Sequence, residues 1–139
     1  MRIASILNNA VQPAGHAFVF APGAVAFPPR TQLEPDILVV PPIRPASDRW
    51  SDVKGHWLAV EVLSRSSRVY DREFKRDAYL ALGVKEVWLV NKNSLSVHVS
   101  RVQRVEETLR DAFVWRTPVA GLNVVVDLRT VFAGIEPTE

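Results

Sequence analysis

The 139-residue sequence contains no cysteine and only three histidines. Without cysteine the chain can form neither a disulfide framework nor a thiolate zinc site, and His16, His56 and His98 are too scattered to indicate a histidine-based zinc site. No apolar run approaches the roughly 20 residues of a membrane-spanning helix, and the first residues include no apolar stretch of signal-peptide length. We therefore expect a cytoplasmic protein that does not associate with membranes.

The sequence also has little excess of charge, since its formal net charge is +2. This balance permits nucleic-acid binding but does not require it, so a local basic cluster would be needed. One such cluster consists of Arg65, Arg68, Arg72, Lys75 and Arg76. It is either a solvated face, which is the more common case, or a track for phosphate groups.

Apolar residues are abundant, at 47% of the chain, which is enough at this length for a single domain with a packed core over residues 1–139. Their spacing predicts an alternation of helices and strands. The predicted elements are a helix over Arg2–Ala10, strands over Ala17–Phe20 and Ala24–Phe27 with a turn at Pro22-Gly23, strands over Ile37–Val40 and Leu58–Leu63, a helix over Val69–Leu82, strands over Val84–Val90, Leu95–Val102, Ala112–Arg116 and Gly121–Val126, and a helical turn over Leu128–Phe132.

The strand–helix–strand segment from Leu58 to Val90 predicts a parallel strand pair with a crossover helix. Leu95–Val102 alternates between apolar and polar residues, which predicts a half-exposed antiparallel strand. Residues 105–110 are acidic and ambiguous. Together these patterns place the protein in the α/β class, with a mixed β-sheet flanked by helices.

Two acids stand out against the predicted strands. Glu61 lies within an otherwise apolar strand, where a carboxylate is costly unless a metal ion or a lysine compensates its charge. Asp36 directly precedes the β-branched run of Ile37–Val40. Since both strands are predicted to be buried, the two acids are candidates for one site.

The helix over Val69–Leu82 carries a lysine that can face these acids. Projected at about 100° per residue, one arc contains Tyr70, Phe74, Ala78, Ala81 and Leu82, with Asp71 inside it. Lys75 falls at the border of this arc, whereas Arg72, Arg76 and Leu80 face away. We therefore expect Lys75 to lie where the helix meets the sheet, while Tyr79 is interpreted as a packing residue.

The segment EVLSRSSRVYDREFKRDAYLALGVKEVWLVN resembles the core of the Uma-type restriction endonucleases, a bacterial family within the PD-(D/E)XK nuclease superfamily. The shared pattern consists of Pro35-Asp36, Glu61-Val62-Leu63-Ser64, Asp71 with Lys75, Tyr79, and Gly83 to Trp88. The ending GLNVVVDLRTVF is also similar to the family's close. The family usually has a further hairpin and a longer first helix, so we expect the chain to be shortened at its N-terminus.

The resemblance implies a PD-(D/E)XK nuclease-like fold with Asp36 and Glu61 as ligands of Mg²⁺, or of Mn²⁺, and Lys75 in the active site. The backbone carbonyl of Val62 is a candidate third ligand, because Mg²⁺ prefers oxygen donors. The superfamily's usual lysine lies two residues after the glutamate. Leu63 occupies that position here, so Lys75 is the candidate replacement.

Three functions remain open at this point. The first is a Mg²⁺-dependent DNA endonuclease that binds DNA through Arg65, Arg68 and Arg72 and acts as a homodimer, because a duplex has two strands to cut. The second is a catalytically inactive nucleic-acid-binding or scaffold protein that keeps the nuclease fold. The third is a Mg²⁺ phosphodiesterase for a small nucleotide.

Overall fold

The computed structural model describes residues 2–27, 31–43, 47, 49–64 and 69–137. Three helices and ten strands are formed within these residues, and a single turn of 3₁₀ helix covers Trp50–Asp52. In chain order the elements are α1 (Arg2–Val11), β1 (Phe18–Phe20), β2 (Val25–Phe27), β3 (Thr31–Leu33), β4 (Ile37–Val40), β5 (Leu58–Leu63), α2 (Val69–Ala81), β6 (Glu86–Asn91), β7 (Ser96–Arg101), β8 (Glu107–Leu109), β9 (Ala112–Arg116), β10 (Asn123–Asp127) and α3 (Leu128–Val131). None of the helices in the described part of the chain is long and apolar enough to cross a membrane.

Six of the strands form one mixed sheet in the order β1-β4-β5-β6-β7-β8. The neighbours β5 and β6 are parallel, as the strand–helix–strand pattern predicts, and the other neighbouring pairs are antiparallel. In the register of β4 and β5, Ile37 lies opposite Val60. Asp36 precedes Ile37 and Glu61 follows Val60, so in this antiparallel pairing the two acids lie on the same side of the cross-strand pair.

Side chains alternate across the sheet and fill a separate core on each face. On one face, Val60, Trp88 and Val97 pack with residues of α1, α3 and the β9–β10 hairpin. The rings of Trp88 and Trp115 meet edge to face in this core, with centroids 5.9 Å apart. On the other face, Ala59, Leu89 and Tyr79 pack together, which places α2 against that side of the sheet.

The predicted pairing near the N-terminus is wrong. The sequence suggests that Ala24–Phe27 returns along Ala17–Phe20 as a hairpin, but β1 pairs with β4 and β2 pairs with β3. Strand β1 extends the edge of the large sheet, and β2 forms a separate two-stranded sheet with β3.

The antiparallel strand predicted at Leu95–Val102 forms over Ser96–Arg101, but the prediction that it is half-exposed is wrong. Strand β7 lies between β6 and β8, and its polar side chains Ser96 and Ser100 are buried along with its valines. The serines that alternate with apolar residues along this strand therefore lie inside the fold and not in contact with solvent. The strand β8, which the ambiguous segment did not predict, covers the far side of β7.

Helix α2 has the predicted bounds to within one residue, but its orientation about its axis differs. Phe74, expected in the buried arc, is 59% exposed, whereas the side chain of Arg76, expected to face away, is only 15% exposed. Arg72, Arg76 and Tyr79 follow the spacing of one helical face and form the inner side of α2. Arginine can cover apolar surface with its aliphatic stem, which a pattern of apolar letters alone does not reveal.

Candidate active site

The two acids come together where β4 begins and β5 approaches its end. Asp36 is exposed and its Oδ2 accepts a hydrogen bond of 2.7 Å from the backbone N–H of Val62. This bond fixes Asp36 to the residue next to Glu61. The antiparallel pairing of β4 with β5 thus explains why acids 25 positions apart in the sequence meet in the fold.

Glu61 is buried, with 7% of its surface exposed, and both of its oxygens have partners from α2. The hydroxyl of Tyr79 donates to Oε1 at 2.5 Å, and Nζ of Lys75 lies 3.8 Å from Oε2. Lys75 and Tyr79 are four residues apart on the helix, so their side chains reach the same region. The lysine thus lies beside the carboxylate, as the sequence predicts, although its own side chain is 52% exposed.

Burial dominates the electrostatics of this carboxylate. It raises the pKa of Glu61 above the ordinary value, while the Tyr79 hydrogen bond and the charge of Lys75 act in the opposite direction and Asp36 raises it further. Burial and the bond to Glu61 also raise the pKa of Tyr79, so its hydroxyl remains a proton donor at neutral pH. A second positive charge near Glu61 would stabilise its ionised form.

A cavity of about 300 Å³ opens over these groups. Val62 and Leu63 of β5 line its floor together with Leu89, and the first turns of α2 form one wall. Its charged lining consists of four acids and two bases, namely Glu34, Asp36, Glu61, Asp71, Arg72 and Lys75. The excess of carboxylates makes the cavity a place where a cation would be stabilised.

The oxygen donors of this cavity fit a hard divalent cation. Within the described residues no group of three or more His, Cys, Asp or Glu side chains is placed to hold a metal ion. The set predicted from the sequence has two carboxylates, Asp36 and Glu61, and one backbone carbonyl, that of Val62, and Val62 lines the same cavity. Mg²⁺ commonly binds through one or two carboxylates and keeps several waters, so such a set suits this ion.

Comparison with known proteins gives the family and the fold of the chain. The model of the Uma2 family, described as "Putative restriction endonuclease", matches residues 1–129. The chain belongs to this family. The Uma2 fold is also seen in a crystal structure of "a putative nuclease belonging to DUF820 from Anabaena variabilis ATCC 29413", which has a TM-score of 0.77 and 19% sequence identity and covers 97% of this chain and 78% of that chain. None of the curated proteins matches the chain.

The similarity to that structure shows the fold, so the nuclease-like α/β fold expected from the sequence is confirmed. In this Uma2 chain, Leu63 lies two residues after Glu61 on β5, at the position where the resemblance leads us to expect lysine. Leu63 is half-buried and lines the cavity. The ammonium group nearest the buried acid therefore comes from the helix and not from the strand.

The predicted nucleic-acid-binding arginines are only partly placed. Arg65 and Arg68 lie outside the described residues. Arg72 belongs to the first turns of α2, lines the acidic cavity and is half-buried. Its position at the cavity wall differs from the solvent-facing position that the helix projection predicts.

Three polar residues of the site were not singled out as functional by the sequence pattern. Tyr79 is buried as a packing residue, as expected, but it also donates a hydrogen bond to Glu61. The four-residue spacing between Lys75 and Tyr79 is the signal that links the two. Glu34 and Asp71 line the cavity as exposed acids. Asp71 belongs to the motif that carries the resemblance, whereas nothing in the sequence context of Glu34 separates it from other surface carboxylates.

Proposed function

We propose that this Uma2 protein is a Mg²⁺-dependent endonuclease that hydrolyses phosphodiester bonds of DNA in the cytoplasm, with Mn²⁺ as an alternative ion. The observation that carries the proposal is the single cavity that brings Asp36, Glu61 and Lys75 together at the end of β5. Two acids and a lysine line this cavity together. A purely structural role would explain neither the burial of Glu61 nor the lysine beside it.

Asp36, Glu61 and the carbonyl of Val62 would hold the ion. A bound Mg²⁺ neutralises charge on the phosphate and lowers the pKa of a coordinated water. The bond from the Val62 N–H fixes the Asp36 carboxylate, and the Tyr79 hydroxyl fixes that of Glu61. Both acids are therefore held in place before any ligand arrives, which reduces the ordering required on binding.

Lys75 would act on the water and on the phosphate. Its ammonium lies 3.8 Å from Glu61 and its side chain is half-exposed, so it can turn toward a substrate entering the cavity. A lysine Nζ can orient the attacking water, accept its proton when deprotonated, and stabilise negative charge that develops on the phosphate oxygens. We assign Lys75 this role in place of the strand lysine that is absent at Leu63.

DNA would be held through its phosphates by Arg72 together with Arg65 and Arg68. Binding of this kind weakens with salt by a slope of about −0.9 per neutralised phosphate. We also propose that two copies act on the two strands of a duplex. The alternating strand Leu95–Val102 and Leu80, which the helix projection turns away from the sheet, predict apolar surface that a second copy could cover. Leu80 is instead half-buried, and Ser96–Arg101 lies between β6 and β8.

Calorimetric titration with Mg²⁺, with and without a short DNA duplex, tests the proposal. We expect the duplex to strengthen Mg²⁺ binding and to be cleaved, and we expect Asp36→Ala to abolish both effects. Asp111→Ala, an exposed acid between β8 and β9, is the matched control and should behave like the parent. DNA binding with an affinity that Mg²⁺ does not change would favour the inactive scaffold. Mg²⁺ binding with an affinity that DNA does not change would favour a phosphodiesterase for small nucleotides.

A further inference from the structure

A second cavity lies beside the acidic one on the same face of the sheet. It has a volume of about 340 Å³, is open to solvent, and is lined by residues of α2 and of the strands β6, β7 and β8. The two cavities share Leu63, Arg72 and Leu89 as lining residues. A DNA strand bound in the first cavity can therefore continue directly into the second.

The two cavities have opposite charge character. The second is lined by three arginines and two acids, namely Arg72, Arg76, Arg110, Glu73 and Glu106, whereas acids outnumber bases by four to two in the first. The hydroxyls of Ser94, Ser96 and Thr108 also line the second cavity. An excess of guanidinium groups together with hydroxyl donors suits a phosphate ester.

Arg72 provides a donor at the boundary between the cavities. Its Nε is buried and has no hydrogen-bond acceptor among the described residues. A buried donor without an acceptor costs roughly 1–3 kcal/mol, so such groups in folded proteins call for an explanation. A phosphate oxygen would supply the missing acceptor once the Arg72 side chain, which lines the cavity, turns its Nε–H toward it.

The other two arginines differ in how they are held. Arg76 pairs with Asp77 at 3.1 Å and with Glu106 at 3.2 Å, and Glu106 also meets Nε2 of His98 at 3.1 Å. This network fixes the wall formed by α2 against β7 and β8. Arg110 is exposed and forms no ion pair or hydrogen bond within the described part of the chain, so its charge remains available to a ligand.

We propose that the second cavity binds the phosphate of the nucleotide next to the one being cleaved, with Arg72 and Arg110 as the phosphate ligands. This inference rests on the proposed function, because it assigns a subsite to the same substrate. It also explains the position of Arg72, which lines both cavities and can contact successive phosphates of one strand. The network around Arg76 and Glu106 serves as the rigid support of the subsite.

NMR of the ¹⁵N-labelled protein in EDTA tests the subsite without metal or cleavage. Thymidine 5′-monophosphate should shift the Nε–Hε signals of Arg72 and Arg110 in a saturable manner. Arg72→Gln and Arg110→Gln should each raise the apparent Kd at least fivefold. Thymidine without phosphate should bind at least tenfold more weakly, and inorganic phosphate at least threefold more weakly, because it leaves the rest of the cavity unfilled.

A third cavity of about 270 Å³ is the alternative site at which the nucleotide could bind. It is lined by Lys85, Arg101, Arg104 and Arg116 and lies at the opposite end of the β5–β6 pair. If Arg116→Gln weakens nucleotide binding while Arg72→Gln does not, or if inorganic phosphate binds as tightly as the nucleotide, the inference is overturned. Absence of any shift at Arg72 and Arg110 in a protein that still cleaves DNA would overturn the subsite alone. Nucleotide binding at these arginines without metal-dependent cleavage would overturn the proposed function instead.

Discussion

Among the four acids that line the first cavity, Glu61 is buried, whereas Glu34, Asp36 and Asp71 are exposed. Its carboxylate is held by a neutral donor, Tyr79, and by a cation, Lys75, on successive turns of one helix. Each of these residues can be altered with little change in side-chain volume. The site can therefore be tested one interaction at a time.

Tyr79→Phe removes the hydroxyl that donates to Glu61 and leaves the ring in the core. We expect the free energy of unfolding to fall by about 1.5–3 kcal/mol, since a hydrogen bond to a charged group is worth roughly that amount. We also expect Mg²⁺ to bind several-fold more weakly, because Glu61 is less well oriented. Urea unfolding and calorimetric metal titration measure the two effects, and unchanged metal affinity would show that the tyrosine only packs.

Glu61→Gln should stabilise the metal-free protein at neutral pH. Because burial raises the pKa of Glu61, the folded state holds this proton more tightly than the unfolded state does. Its ionisation therefore destabilises the fold as pH rises through the interval between the unfolded and folded pKa values. In EDTA the melting temperature of the variant should exceed that of the parent by a few degrees at pH 7, and the difference should shrink toward pH 4. A difference that does not change with pH would contradict this account.

At the scale of elements, the strands that carry the site were predictable from the sequence. Ile37–Val40 and Leu58–Leu63 have the bounds that their runs of apolar residues predict, since strands buried on both faces are predominantly apolar; Glu61 is the exception within Leu58–Leu63. The partners of β1 and β2 were not predictable, because strand pairing depends on residues far apart in the chain. The rotation of α2 was missed because Arg72 and Arg76 contribute buried stems that count as polar in a helical projection.

The same limits apply to the candidate site. The cost of burying a carboxylate singled out Glu61, and helical periodicity placed Lys75 beside it. The hydrogen bond from Tyr79 could not be inferred, because a tyrosine in an apolar pattern indicates packing equally well. The second cavity was also beyond the sequence, since it depends on β8 and on how α2 lies against β7.

Whether helix α2 can replace strand β5 as the source of the lysine can be tested with two variants. Lys75→Ala should abolish cleavage and retain Mg²⁺-dependent DNA binding, because the carboxylates remain. Adding Leu63→Lys in that background should restore part of the activity, since Leu63 lines the same cavity. Lys85→Ala, an exposed lysine at the other end of the sheet, is the control. Cleavage by Lys75→Ala at the parent's rate would show that the catalytic ammonium lies elsewhere.

At the scale of the whole molecule, the larger hydrophobic core packs on one face of the sheet and the candidate site lies on the other. The core shared by α1, α3 and the β9–β10 hairpin contains Trp88 and Trp115, whereas the face under α2 carries both charged cavities. Substitutions in the cavities should therefore leave the larger core intact. The far-ultraviolet circular dichroism of the site variants provides the check.

The proposal that two copies act together makes a prediction about mass. Sedimentation at micromolar concentration should give about twice the mass of the 15.6 kDa chain, because a single-site domain needs a second copy to cut both strands of a duplex. A monomer at that concentration that also stays monomeric on DNA would remove the dimer. Nicking of one strand would then be the expected product.

Cleavage of supercoiled plasmid tests the central claim most directly, since it asks whether Asp36 and Glu61 form a metal-dependent hydrolytic site. With Mg²⁺ or Mn²⁺ the parent should convert the plasmid to nicked or linear DNA, and EDTA should stop the reaction. Asp36→Ala and Glu61→Ala should each abolish conversion while their circular dichroism spectra remain near that of the parent, and Asp111→Ala should cut normally. Equal rates for the parent and both variants would contradict the assignment of the site.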